Sequence, residues 1–503
     1  MSTRRGRSSP RRIACQPEPR SLSSAMFKAL FRAAAPFTFL IATPLAAQPI
    51  APGDMLRHIQ ALASDEFQGR APGSAGERLT TDYIVRQLQQ RGLEPAGENG
   101  TWFQPVRLIE TLPGRSDVRW TVSGAPVAID AGEMALIGPQ PAVTIADAPV
   151  VFAGEGAQGP ELRGAVVLIV QGPMGEGRAS IRTRVKALAD AGAAAVIVVA
   201  GAQVPWEMVT RSFARGSTRI EAEAPAIVTG IMPQSAARRL VGAALDQPPS
   251  GVATLPLRVS MTVNTVVNRF ATNNVLGRVR GSGSTAENVI LMAHWDHLGF
   301  CRPEGAPDRI CNGAVDNASG IAMMIEVAGR LAQQPRPVRD VLVLATTAEE
   351  EGLLGATYYA AHPTVPLGSI LAAINMDTVA IQHAGSPVAV MGRGLAPLDS
   401  AIDSTVAAMG RRLDTDDEAA ELVQRQDGWA FNRAGVPAIM VGGSFSDMTL
   451  LNRFLEGRYH KPDDQADGEI VLDGAAEDAN LTVALARRLA DPATYQRPAR
   501  ATP

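Results

Sequence analysis

Five stretches of this 503-residue chain carry the residue types that bind metals or move protons. Ala293-His-Trp-Asp-His-Leu-Gly299 supplies His294, Asp296 and His297, and Gly313-Ala-Val-Asp-Asn-Ala-Ser-Gly320 supplies Asp316. Ala348-Glu-Glu-Glu-Gly-Leu-Leu-Gly355 supplies Glu349 and Glu350, Ile374-Asn-Met-Asp377 supplies Asp377, and Tyr459-His-Lys-Pro-Asp-Asp464 supplies Tyr459 and His460. Two histidines and three carboxylates are too many ligands for one tetrahedral catalytic zinc. They suit two zinc ions about 3.5–4 Å apart that share a bridging carboxylate and a water. In extended backbone His294 and Asp296 point the same way, so Asp296 is expected to accept the spare imidazole N–H and fix its tautomer. Glu349 and Glu350 are adjacent where a strand ends, so one side chain can bind metal while the other reaches a metal-bound water. Plainer readings stand beside these: His297 as an orienting or helix-entry residue, and Glu349–Glu350 as a solvated acidic turn.

The elements that must position these groups are visible as apolar runs. Val289 to Ala293, Val341 to Ala345 and Ile370 to Ile374 are short, rich in Val, Ile, Leu and Ala, and read as buried strands. Three of the polar stretches follow directly at their ends, where an open α/β sheet places its ligand site. From Asn274 the pattern is strand, strand, helix, strand, helix, strand, with Val275–Val279 and Val289–Ala293 expected as neighbours. A helix is expected over Asn317 to Leu331, its apolar face making Met323 and Met324 core residues and leaving Asp316 at its positive end. Helices are also expected over 52–64, 76–92, Leu398–Met409, Trp429–Ala434 and Ala475–Leu489, and a strand over Pro437–Val441. Asp65 or Ser74 is expected as a helix cap in the Gly/Pro-punctuated loop between the first two.

Between Asp117 and Leu257 the composition changes to short Val/Ile/Ala runs separated by Gly and Pro, without His or Cys. The runs Val150-Val151, Val166–Val170, Ala195–Val199 and Ala226–Val228, with one helix over Ile181 to Ala191, suggest a lid or interaction module. Apolar content of 46% and charged content of 19% are globular values, and a net charge of -3 argues against nucleic acid as a partner. Lys28 and Arg32, the apolar stretch Ala33 to Leu45 and Ala46-Ala47-Gln48 have the pattern of a secretory signal peptide. Translation is therefore expected to begin at Met26, with residues 1–25 an over-extended start and the mature chain beginning near Gln48. The twin-arginine and lipoprotein alternatives at Arg11-Arg12 and Cys15 lack an apolar region at the right distance.

The five motifs, in this order, resemble the twenty-eighth metallopeptidase family, the co-catalytic di-zinc exopeptidases that include bacterial leucyl aminopeptidases and glutamate carboxypeptidase II. The loop at 64–77 resembles that family's opening segment, and residues 117–257 resemble a protease-associated domain. The resemblance implies an α/β fold with a mixed, mainly parallel central sheet flanked by helices and an inserted β-rich domain. The zinc peptidase domain would then comprise 48–116 and 258–490, with residues 491–503 a frayed tail. It implies Asp316 as the bridging ligand, His294 and Asp377 completing one zinc, Glu350 and His460 the other, and two zinc ions per chain. Glu349 would be the general base, Asp296 the partner of His294, and Tyr459 and Asp427 substrate contacts. It further implies a cis peptide between Asp316 and Asn317. Two positions depart from the family pattern: Val315 precedes the bridging Asp, and Gln426-Asp427-Gly428 stands where Ser-Asp-His is common.

Cys301 and Cys311, the only cysteines left after signal cleavage, flank a Pro-rich loop. In an oxidising compartment they are expected to form a disulfide that pins the connection from His294 to Asp316. The expected activity is an exported aminopeptidase acting on peptides. Arg425, Arg433, Arg453 and Arg458 keep a carboxypeptidase as the alternative, and a receptor-like binding protein or a single-zinc glutaminyl cyclase are the more remote ones.

Overall fold

The computed structural model describes residues 48–171, 177–201, 203–395, 397–416 and 418–497. The expected signal segment before Gln48, Cys15, and residues 498–503 of the expected tail lie outside them.

Strand Asn288–His294 is buried at every position, and its alternating side chains feed two cores. Val289, Leu291 and Ala293 join a cluster with helices Pro52–Leu62, Ser319–Ala332 and Leu472–Leu489. Ile290 and Met292 join a second cluster with Tyr359 of helix Leu354–Ala361 and Phe431 of helix Gly428–Arg433. A strand covered on both faces needs apolar residues throughout, which is why its sequence is a continuous run. Leu291 is fully buried, and truncating such a residue to Ala costs about 2–5 kcal/mol.

Asp340–Thr346 and Ile370–Asn375 lie parallel on either side of this strand. Ala438–Gly442 continues the parallel set beyond Ile370–Asn375, and Ala389–Met391 closes that edge antiparallel. The sheet is therefore mixed and mainly parallel, as expected. Its strand order differs from expectation: Val275–Val279 pairs antiparallel with Asp340–Thr346, which stands between it and Asn288–His294. The apolar runs specify burial but not which buried run is the neighbour.

The helix expected over Asn317 to Leu331 spans Ser319–Ala332, with Met323 and Met324 in the core. Ahead of it Ala314–Ala318 forms a wide turn, so Asp316 projects from that turn and not from the first turn of the helix. The helices expected near 52–64, 76–92 and Leu398–Met409 span Pro52–Leu62, Ala75–Gln90 and Asp399–Ala408. Ser74 caps the second of these, accepting from the Glu77 amide at 3.3 Å.

Two long strands, Phe103–Val122 and Val252–Val279, pair antiparallel along nearly their whole length. They carry the sheet into a separate core around Trp120, Phe152, Leu168, Ile197 and Val259. There Ala142–Ala153, Val166–Val170, Ala195–Val199 and Val228–Met232 run parallel. The middle two match the expected runs, while Ala226–Val228 is realised two residues later and the helix starts earlier, at Gly177–Asp190. The boundaries expected at Asp117 and Leu257 fall inside the long strands, so a paired ribbon joins the two cores. The described residues form one compact unit.

Candidate metal centre

The parallel strands deliver the polar residues to one place. His294 ends its strand, and the Trp295 amide donates to the Thr346 carbonyl at 2.9 Å, holding the next strand's exit beside it. After Thr346 the chain turns sharply, with Ala348 at φ 51° and Leu353 at φ 62°. A non-glycine residue in the left-handed region costs of order 1–3 kcal/mol, which the surrounding bonds must offset. The Asp296 carboxylate does so by accepting the amides of Glu349 at 3.1 Å and Glu350 at 3.4 Å. Asn317 ties the Asp316 turn to the Asp377 loop: its side chain donates to the Met376 carbonyl at 3.1 Å and accepts the Thr378 amide at 3.3 Å. The peptide bond between Asp316 and Asn317 is cis, and Cys301 and Cys311 are joined by a disulfide.

Asp316 stands at the middle, with each oxygen facing a different histidine. Oδ1 lies 3.3 Å from His294 Nε2, which is also 3.5 Å from Asp377 Oδ1. Oδ2 lies 3.3 Å from His460 Nε2, which is 2.8 Å from Glu350 Oε2. The other Glu350 oxygen is held by His297 Nδ1 at 2.6 Å. The His460 ring is stacked on Tyr459, centroids 3.7 Å apart.

These donors fit a metal. Bonds of about 2.0–2.1 Å in a tetrahedron put neighbouring zinc ligands about 3.3–3.4 Å apart, close to the separations of His294 Nε2 and His460 Nε2 from the two Asp316 oxygens. His460 Nε2 faces two carboxylates at once, Asp316 Oδ2 and Glu350 Oε2, as a shared metal ligand set would. The electrostatics agree. Burial pushes the Asp316 carboxyl up, but His297, His294 and His460 outweigh it and hold it well below the ordinary range. Burial lowers His460, yet Asp316 and Glu350 lift it to about 9. Burial, then Asp427, Glu350 and Asp377, hold the Glu349 carboxyl well above its usual value, against the opposing pull of His294. So many buried carboxylates make a concentrated negative site that a dication neutralises.

A cavity opens on the His294 side, with His294, Asp316, Glu349 and Asp377 on its polar side and Met391, Leu422, Met440, Phe445, Leu451 and Leu455 on its apolar side. Tyr459, Arg425 and Gln426 also line it.

The structure brings His294, Asp316, Glu349, Glu350, Asp377, Tyr459 and His460 together, and differs from expectation at two residues. His294 Nδ1 faces the Asp296 backbone carbonyl at 3.1 Å, while the Asp296 carboxylate stands 4.0 Å away. Alternation along a strand gave the side of the chain, but the strand ends at His294 and the carboxylate turns to the Glu349 loop. Asp427 is fully buried, accepts a hydrogen bond from the Thr346 hydroxyl, and is pushed up to about 6 by burial. Its neighbour Gln426, not Asp427, reaches the cavity wall. Sequence reasoning passed over Arg70 and Asp464, both buried beside the Asp316 turn. The sign available for Asp464 was its place in the His460 motif.

Residues 274–485 match the family model described as Peptidase family M28. The probable lipoprotein aminopeptidase LpqL of Mycobacterium tuberculosis is 26% identical over 406 residues, covering 78% of this chain and 72% of that protein. The probable glutamate carboxypeptidase AMP1 of Arabidopsis thaliana is 30% identical over 132 residues, covering 25% of this chain and 17% of its own length. The solved aminopeptidase from Aneurinibacillus sp. strain AM-1 superposes with a TM-score of 0.51 at 19% identity, covering 88% of this chain and 95% of that one, a likeness of fold. The segment that matches peptidase family M28 carries all seven side chains gathered around Asp316.

Proposed function

We propose that this peptidase is an exported aminopeptidase that holds two zinc ions and removes N-terminal residues from peptides. The observation that carries the reading is the placement of Asp316, whose two oxygens each face a separate histidine–carboxylate pair. His294, Asp377 and Asp316 would hold one zinc; His460, Glu350 and Asp316 the other. His297 orients Glu350 through the oxygen that His460 does not face.

Bound zinc would supply a water of lowered pKa and a polarised scissile carbonyl. Glu349 lines the cavity beside His294 and Asp377, where it can take the proton of the attacking water and pass it to the departing amine. Asp296 keeps Glu349 in that place through its backbone amide. The free α-amino group of a substrate meets a cluster of carboxylates, and the apolar wall from Met391 to Leu455 receives the first side chain. Tyr459 stands at the cavity edge, where its hydroxyl can meet the developing oxyanion. The inserted module at 117–257 is read as a protease-associated domain that borders this site, since Ile220 packs in a small cluster with Ala348 and Leu354 beside the Glu349 turn. Export is supported by the Cys301–Cys311 disulfide, because such bonds persist in oxidising compartments. No helix among the described residues is long and apolar enough to cross a membrane.

The carboxypeptidase reading keeps one supporting residue. Arg425 lines the cavity, whereas Arg433 and Arg453 are exposed elsewhere on the surface and Arg458 is tied to Asp467 and Glu469. A panel of free and N-blocked peptides, assayed with and without a chelator, separates the readings. Cleavage of free-amine substrates that the chelator abolishes supports the aminopeptidase. Cleavage of N-blocked peptides from the carboxyl end overturns it, and a zinc-loaded protein with no turnover points to a binding role.

A further inference from the structure

The turn that carries Asp316 is gripped from two sides by buried charged residues with no place in the cavity. Arg70 is 1% exposed. It donates through Nε to the Trp295 carbonyl (2.9 Å), through Nη1 to those of Leu62 (2.8 Å) and Asn312 (2.6 Å), and through Nη2 to Gly313 (2.9 Å). Asp464 is fully buried. It accepts the Val315 amide at 3.0 Å and the Asp316 amide at 3.0 Å, and its own carbonyl accepts the Ala314 amide at 3.1 Å. Between them the two residues hold the carbonyls of 312 and 313 and the amides of 314, 315 and 316.

Their other attachments matter as much. Trp295 follows His294, and Asp464 is four residues beyond His460. Three chain segments that bear candidate ligands therefore meet at this pair. The seat is tight: a Cβ at Gly69, beside Arg70, would lie 2.4 Å from the Cys311 carbonyl. Burying a guanidinium and a carboxylate is costly unless each is fully hydrogen-bonded. Arg70 makes no ion pair among the described residues, and its planar fork is spent on main-chain carbonyls, which a single-point ammonium cannot reproduce. Outer contacts that fix ligand orientation are typically worth about 10–100-fold in metal affinity.

We propose that Arg70 and Asp464 are positioning residues that fix the 312–316 segment between His294 and His460, so that both oxygens of Asp316 are presented before any metal arrives. This rests on reading Asp316 as the shared ligand. The test uses the full chain, stripped with a chelator and titrated with zinc or, as a spectroscopic probe, cobalt(II). Arg70→Lys, which keeps the charge and loses the fork, and Asp464→Asn should each bind zinc about 10–100-fold more weakly and alter the visible spectrum of the cobalt-loaded protein. Amide exchange at 314–316 should be slow in the zinc-free wild type and faster in both variants. Variants that melt earlier but bind zinc like the wild type would show a merely structural role and overturn the proposal. Should a variant fail to fold, the wild type alone still decides: amides at 314–316 that become protected only after zinc is added mean that the metal does the positioning. A wild type that binds no zinc would defeat the metal reading instead, and leaves the exchange result to stand by itself.

Discussion

Glu349 and Glu350 share one anchor and face different partners. Both backbone amides donate to the Asp296 carboxylate, yet the Glu350 side chain ends between His297 and His460 while that of Glu349 lines the cavity with His294 and Asp377. Two adjacent carboxylates can therefore take different parts in one reaction. The division predicts that Glu349→Gln keeps its zinc but loses about 10²–10⁴-fold in kcat, with KM changed far less. Glu350→Gln should instead weaken one metal, and added zinc should restore part of its activity. Metal content and steady-state kinetics of the two variants check this; a Glu349→Gln enzyme near wild-type rate with its metals in place rules the mechanism out.

His297 and His460 both approach Glu350, at 2.6 and 2.8 Å, and are expected to behave differently. If the site holds two zinc ions as proposed, His460→Ala removes a ligand donor and should leave about one zinc per chain. His297→Ala leaves the donors in place and should reduce zinc affinity by about 10–100-fold, the usual cost of losing an orienting contact. Equilibrium dialysis against zinc distinguishes them, and the opposite pattern would exchange the two assignments.

Gly313 adopts φ 56°, and a Cβ there would lie 2.1 Å from the Asp316 carbonyl oxygen and 2.6 Å from His297 Cδ2. Gly313→Ala should displace the turn that carries Asp316, lowering stability by more than about 1 kcal/mol and weakening zinc binding together. Chemical denaturation with and without zinc measures both effects.

A second buried charge cluster lies away from the cavity. Glu326 contacts His58 at 3.0 Å and Arg330 at 3.4 Å, and also accepts from Arg91. Burial pushes Glu326 up, but His58 and Arg91 outweigh it and bring the carboxyl from 4.5 to about 2. A folded-state pKa below the unfolded one adds stability above the unfolded value, and that stability is lost as pH falls through the folded value. The wild type should thus lose stability from about pH 4.5 down to about pH 2, and Glu326→Gln should be less stable at neutral pH with a flatter decline across that window. Melting temperatures across this range provide the check; parallel curves would show that Glu326 contributes nothing to acid sensitivity.

Much of this molecule could be read along the chain because the signals are local. Three apolar runs mark three buried parallel strands, since a strand covered on both faces admits little else. The polar residues that follow them are brought together because strands running the same way all end at the same edge. Cys301 and Cys311 could be paired once Cys15 was assigned to the expected signal segment and an oxidising compartment was inferred. What the sequence could not supply was which group meets which across long separations. The strand between Val275–Val279 and Asn288–His294 comes from residues 340–346. Asp296 turns from His294 to amides 53 and 54 residues away, and Asp427 turns inward to Thr346. Arg70 reaches carbonyls 225, 242 and 243 residues on. Residue type and local spacing determine what a side chain can do. Its partner is set by where distant loops come to rest, and only the packed fold decides that.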